Sequence, residues 1–499
     1  MAHPSRNLLS LLCATALAGF APGVAVACTE GAGTPPTLLC DGPSGPVAST
    51  LDGLAVTVTP EGVVSSDNRD TPPFALGGTG QSVANEGTIR NTDTRNNTNA
   101  IQGTGDGLQV DNSGLIESGD RAVHVLGGAA DFSLINREDG VIRSRRQAVR
   151  TEVETASRNG FVENFGLIES SNGRAVQMRG TGSTVINHGT LIGGEEVIEG
   201  RLDFTVENHG LIAIRGLSWD PVTRTWTDSG APTDEDGVQF SSGRIDNWGV
   251  ILSTDDGIDI DEGIVHNHAT GVIISAAPDS VRDSGGIDID PVLQIPGVPD
   301  AEHPPAGALT IINEGYIEGP RAIVADLDSI APLDITNAGT LVGRSGVAID
   351  LAPGQGDTTI TLRDGSVIDG DILFGAGGLN TLVLGPFADG ARMSGTVGAR
   401  EDAGFDLAFG TGFALEDFRA YLLRGDRFDL HLAAGTGTIG FALFGVNAVA
   451  FDGQSFTAQG FADFLGAGGV SVIPLPAAGW LLLGGLGALA ALHRRRRAA

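Results

Sequence analysis

Apolar and polar residues alternate with period two in a phrase that returns along the chain. It reads Arg121-Ala-Val-His-Val125, Arg174-Ala-Val-Gln-Met178, Asp236-Gly-Val-Gln-Phe240, Asp256-Gly-Ile-Asp-Ile260, Gly286-Ile-Asp-Ile289 and Arg321-Ala-Ile-Val324. Period two is the signature of a half-buried strand. It places Val123 with Val125, Val238 with Phe240 and Ile258 with Ile260 on one face, and His124, Gln239 and Asp259 on the other. A second phrase lies between these copies: Asn, a short spacer, Gly, then an apolar pair. It occurs at Asn85, Asn112, Asn164, Asn187, Asn208, Asn247, Asn313 and Asn337, with looser copies at Asn136 and Asn267. Most copies are separated by about 20 to 28 residues, the period of a solenoid.

One such repeat cannot bury its apolar face alone, whereas stacked repeats put Ile on Ile and Val on Val in continuous columns. The sequence therefore predicts an all-β fold, a right-handed parallel β-helix over residues 81–389, with Asn side chains bonded from rung to rung and Asn–Gly corners in the left-handed region. At about 4.8 Å per rung, twelve to fourteen rungs make a rod on the order of 60 Å long. Two longer separations, containing Trp219 to Pro232 and Pro291 to Pro305, read as loop insertions. Residues 28–80 read as an N-terminal cap. Residues 390–470, rich in Phe and lacking the Asn phrase, read as a C-terminal β cap.

The two ends carry different patterns. Arg6, the apolar run Leu8 to Phe20 and the small residues Ala25-Val26-Ala27 form a signal peptide over residues 1–27, with cleavage before Cys28. Residues 471–499 begin with Pro474, Leu475, Pro476 and Ala477, continue through an apolar stretch to Leu492, and end in Arg494, Arg495, Arg496 and Arg497. That apolar stretch is near the lower limit for a membrane span, and the Arg cluster belongs on the cytoplasmic side. Cys28 and Cys40 remain after cleavage and pair as a disulfide in an oxidising compartment; acylation of Cys28 is the competing reading.

Composition narrows the function. The net charge is −31, and all thirty basic residues are arginine, since the chain contains no lysine. That field repels nucleic acid and anionic lipid and leaves no lysine base or Schiff base. The 75 glycines suit a turn-rich β protein.

Three resemblances follow from these residues. The tail from Val472 to Ala477, with its apolar run and basic end, resembles the VPLPA-CTERM sorting signals, relatives of PEP-CTERM tails, although Ile473 interrupts the Val-Pro start. That likeness implies export machinery, signal peptidase and an exosortase-type enzyme as partners, a membrane-anchored intermediate, and then the cell surface or exterior of a Gram-negative bacterium. The repeat wording, with Asp369 to Leu384, resembles autotransporter passenger regions, which implies an adhesin-like β-helix. Too few residues follow for a translocator barrel. Ser253 to Ile260 resembles the Asp-Asp segment of polygalacturonases, and Asp255, Asp256 and Asp259 could supply paired carboxyls. That family's Gly-His-Gly and Arg-x-Lys are missing.

Asp259 and Asp261 share the outward phase of one strand, and Asp288 and Asp290 that of a similar one. If the two strands are neighbours, like charges lie about 5 Å apart, and a hard cation such as calcium would reverse the repulsion. The sequence thus offers a calcium site at Asp259, Asp261, Asp288 and Asp290, with plainly solvated carboxylates as the competing reading of the same four residues. No catalytic residue and no other cofactor is assigned. The expected function is a non-enzymatic surface or matrix protein that meets polysaccharide or other surface proteins. The alternative is a hydrolase or lyase acting on acidic glycans.

Overall fold

The computed structural model describes residues 28–473, apart from 32, 153–157, 294–301, 327–328, 330–331, 353, 355, 388–389 and 400–402. The expected signal peptide and the sorting tail with Pro474 to Ala477 and Arg494 to Arg497 lie outside the described residues. Among the described residues no helix is long and apolar enough to cross a membrane.

The chain is all-β, a parallel solenoid of the right-handed type with about 14 turns. One turn illustrates the rest. Gln109–Asn112 lies on a first face, Leu115–Ser118 on a second and Arg121–Val125 on a third, before Ser133–Asn136 returns to the first face one rung on. Each strand pairs in parallel with its equivalents above and below. The interior is filled by apolar columns from all three faces. The second-face column runs through Ile116, Ile142, Ile168, Leu191, Ile212, Ile251 and Ile273, each fully buried. The third-face column includes Val176, Ile198, Val238, Ile258 and Ile287.

The Asn phrase builds a tenfold column from Asn85 to Asn337. Each Nδ2 donates to the next Oδ1 over nine successive bonds of 2.7–2.9 Å. Every member is buried, and from Asn112 onward each Oδ1 accepts from the Asn one rung before it; Asn85, at the start of the column, has a buried Oδ1 without a donor. Replacing Asn208 by Ala removes both its bond to Asn247 at 2.8 Å and the acceptor for Asn187 at 2.9 Å. Stranding buried amides in this way should lower urea-denaturation stability by about 2 kcal/mol or more, whereas a loss under about 0.5 kcal/mol would mean that the ladder is ornamental.

The glycine of the phrase serves a different purpose from the one expected. Gly114, Gly166, Gly189, Gly210 and Gly249 do not have positive φ. Instead, a Cβ on Gly114 would run into the carbonyl oxygen of Gly87, and one on Gly210 into that of Gly189. Glycine is required because successive corners pack backbone on backbone.

The solenoid extends past both expected boundaries. Residues 28–80 are not a separate cap: Leu38, Val56 and Val83 already stand in one parallel column, and Val64 stacks on Ile89. Cys28 and Cys40 are joined by a disulfide, with Cys40 in the first parallel strand. At the other end, Phe405–Phe409 still stacks in parallel on Asn380–Leu384. Closure comes later, through the antiparallel meander Phe418–Arg424, Arg427–Ala434 and Gly437–Phe444, and the helix Ala458–Ala467. Phe409, Phe418, Phe451 and Phe461 pack edge-to-face and stacked within this end. The insertion at Trp219 is a hairpin, Leu217–Asp220 against Thr225–Asp228, with Trp219 opposite Trp226.

Candidate metal centre

Side chains on the third face that point away from the interior form a polar column in register: His124, Arg150, Gln177, Glu199, Gln239, Asp259 and Asp288. The direct pairing of Asp259 with Asp288 is the arrangement that the shared Gly-Ile-Asp-Ile wording predicts. The column is not solvated. Asp259 is 8% exposed, Asp288 7% and Asp261 2%.

The first half of the column neutralises itself. Glu199 is engaged by Arg174 at 2.5 Å, Arg179 at 3.1 Å and Arg201 at 3.2 Å. Glu152 meets His124 at 2.7 Å and Arg150 at 2.9 Å. The second half is carboxylates. One oxygen each of Asp259, Asp261 and Asp290 lie within 4.8 Å of one another, as do oxygens of Asp288, Asp290 and Asp326, so Asp290 belongs to both groups. A cavity of about 150 Å³ opens on Asp259, Asp261 and Asp290, with Gln239, Ser241 and Arg201 on its walls. Gln239 donates to Asp259 Oδ2 at 2.6 Å. Asp259 Oδ1 and Asp288 Oδ1 are buried with no hydrogen-bond partner.

Burial, and then the neighbouring carboxylates, drive these groups toward their protonated forms. Burial and the nearby Asp290 push Asp259 well above the usual carboxylate range. Burial and Asp259 do the same to Asp288. Asp290 is pushed up to about 6 by burial and Asp326. Two buried oxygens without a partner, Asp259 Oδ1 and Asp288 Oδ1, set among clustered carboxyls are what a hard cation with oxygen ligands exploits. The residues fit calcium: five carboxylates, each able to bind through one or both oxygens, and room for water in the cavity. Calcium bound there would supply positive charge bridging adjacent rungs.

Comparisons with protein-family models, curated proteins and solved structures return no match for this chain. Its chemistry is therefore read from the site itself.

The four carboxyls that the sequence singles out fall into two adjoining groups that share Asp290, Asp259 and Asp261 in one and Asp288 in the other, and the second group adds Asp326. Asp326 follows Ala325 as Asp290 follows Ile289, and Ala325 pairs with Ile289; the chain carries no Asp at the Val324 position to draw attention to it. Asp255 and Asp256 stand elsewhere, forming a separate group with Asp236 at the corner before the third face. The backbone N–H of Gly285 donates to Asp256 Oδ1 at 2.6 Å, and the Ser284 hydroxyl donates to Asp255. These two carboxyls tie one rung to the next. Burial, followed by Asp288 and Asp236, pushes Asp256 well above its ordinary range, and burial leaves Asp236 at about 7.

Proposed function

We propose that this chain is an exported, non-enzymatic surface or extracellular-matrix protein, an adhesin-like β-helix delivered by its C-terminal tail and braced by calcium in its acidic cleft. The observation that carries the reading is the continuity of the solenoid. The same interior and Asn columns run through rung after rung under an acidic, lysine-free exterior, which suits a rigid, repetitive surface held out from a cell. The cleft supports a bracing role rather than turnover. Its cavity of about 150 Å³ is below the 300–1,000 Å³ usual for small-molecule sites.

The sorting part of the proposal has a direct test. Surface-exposed material, isolated from intact cells and examined by mass spectrometry, should begin at Cys28 and end before Trp480. Surface protein that still carries Arg494–Arg497 would contradict processing of the tail.

One observation favours the hydrolase reading. Asp256 and Asp259, held toward their protonated forms, are in the state that a general acid requires. Polygalacturonate that stays uncut by purified protein supports the structural role. Cleavage that disappears in the Asp256→Asn variant would replace it.

A further inference from the structure

Register builds a second cluster on the first face, away from the acidic cleft. Asp246 pairs directly with His266 on the next rung, two residues before the corner that carries His268. The residue after each ladder Asn projects from its corner, and successive corners stack their rings: Phe165 on His188, His188 on His209, His209 on Trp248 and Trp248 on His268, at centroid separations of 4.7, 4.9, 4.6 and 3.8 Å. Trp248 lies within 9° of parallel to His268, which fixes the plane of that imidazole. The His266 ring also packs against His268, at 3.6 Å between centroids and tilted by 31°.

The two imidazoles aim at one oxygen. His268 Nε2 is 3.0 Å from Asp246 Oδ1, and His266 Nδ1 is 3.8 Å from the same atom. Ligand atoms about 2.0–2.1 Å from a tetrahedral zinc lie roughly 3.4 Å from one another, so these separations bracket the required geometry. The other nitrogen of His266, Nε2, is buried without a hydrogen-bond partner, and Glu314 Oε2 stands 3.5 Å from it. A metal-bound imidazole ordinarily donates its second N–H to a carboxylate in this way. Arg244 donates to the same Asp246 Oδ1 through Nη2 at 2.7 Å and has to yield part of that contact.

The geometry points to a binding site for a first-row divalent transition metal, zinc above all, with His266 Nδ1, His268 Nε2 and an Asp246 oxygen as ligands, Glu314 as the outer partner of His266, and a fourth position left to water or a ligand. Two imidazoles and one carboxylate are softer than the all-carboxylate cleft and select against calcium and magnesium. The site shares no residue with the calcium cluster.

Cobalt serves as the probe. Titrating untagged full-length protein with Co²⁺ should develop the visible absorption of a tetrahedral ion, saturating at about one equivalent and bleached by Zn²⁺ but not by millimolar Ca²⁺. His266→Gln and His268→Gln should each weaken binding at least about 10-fold, and the double variant should abolish it. Glu314→Gln should weaken it about 10-fold as an outer partner without altering calcium binding. A measurement on the unaltered protein guards against misfolded variants: zinc should shift the imidazole ¹⁵N resonances of His266 Nδ1 and His268 Nε2. Absence of stoichiometric binding, unmoved imidazole resonances, or cobalt absorption surviving in the double variant would overturn the proposal. Failure here leaves the calcium reading standing, because the calcium cleft contributes no imidazole.

Discussion

Replacing Ile212 by Asp should unfold a block of rungs rather than one residue's surroundings. Ile212 is fully buried in the second-face column between Leu191 and Ile251. A carboxylate there has no partner, and burying it costs several kcal/mol whether it stays charged or takes up a proton. Because each rung is stabilised mainly by its neighbours, the loss spreads along the stack. Hydrogen exchange should show joint loss of protection in the strands Thr190–Gly193, Leu211–Ile214 and Val250–Ser253. Thr190→Asp, at a half-buried position pointing outward on the same face, should change stability by less than about 1 kcal/mol. Equal behaviour of the two variants would contradict the stacked-column architecture.

The second large effect is a pH dependence that calcium reverses. Asp259, Asp288, Asp290 and Asp256 all have folded-state pKa values raised above the ordinary carboxylate value. The folded state therefore holds more protons than the unfolded chain. For a raised pKa, stability is fully present below the unfolded value, near 4, and is lost as pH climbs through the folded value. Asp290 alone, moved from 3.8 to about 6, accounts for on the order of 3 kcal/mol of that loss. In calcium-free buffer the melting temperature should therefore fall from pH 4.5 to pH 8. Millimolar calcium should restore it at pH 8, by mass action on the native state, and do little at pH 4.5, where protons occupy the ligands. Magnesium should be weaker because it demands tight octahedral geometry. Asp259→Asn with Asp288→Asn should raise stability at pH 8 without calcium and abolish the calcium response. A melting temperature that is flat with pH and indifferent to calcium would show that the cleft is relaxed by other means.

The centre of the solenoid was legible because period-two alternation and the Asn phrase mark every rung from Asn85 to Asn337. The ends were harder to read for a physical reason. The place in the cross-section that Asn85 fills is taken one rung earlier by Val58 and before that by Cys40. Beyond Asn337 it passes to Leu362, Leu384 and Phe409. Apolar residues can occupy the same corner, so the rungs continue after the Asn phrase has vanished. The pairing of Asp259 with Asp288 was readable from two strands with the same wording. Their burial was not: outward phase says which way a side chain leaves the sheet, not what lies over it. Asp326 was invisible because its strand has Val324 where the others have Asp. The convergence of His266 and His268 on Asp246 needed the register between rungs, which the 20-residue step from Asn247 to Asn267 supplies.

A crystal structure of the protein grown at pH 8 with saturating calcium tests the acidic cleft most directly. It should contain a strong peak bounded by Asp259, Asp261 and Asp290, with oxygens at about 2.3–2.6 Å, and Asp288 and Asp326 drawn toward the same or an adjoining ion. Density for water alone between these carboxyls, with Asp259 Oδ1 and Asp288 Oδ1 still unpartnered, would contradict the calcium-braced rod.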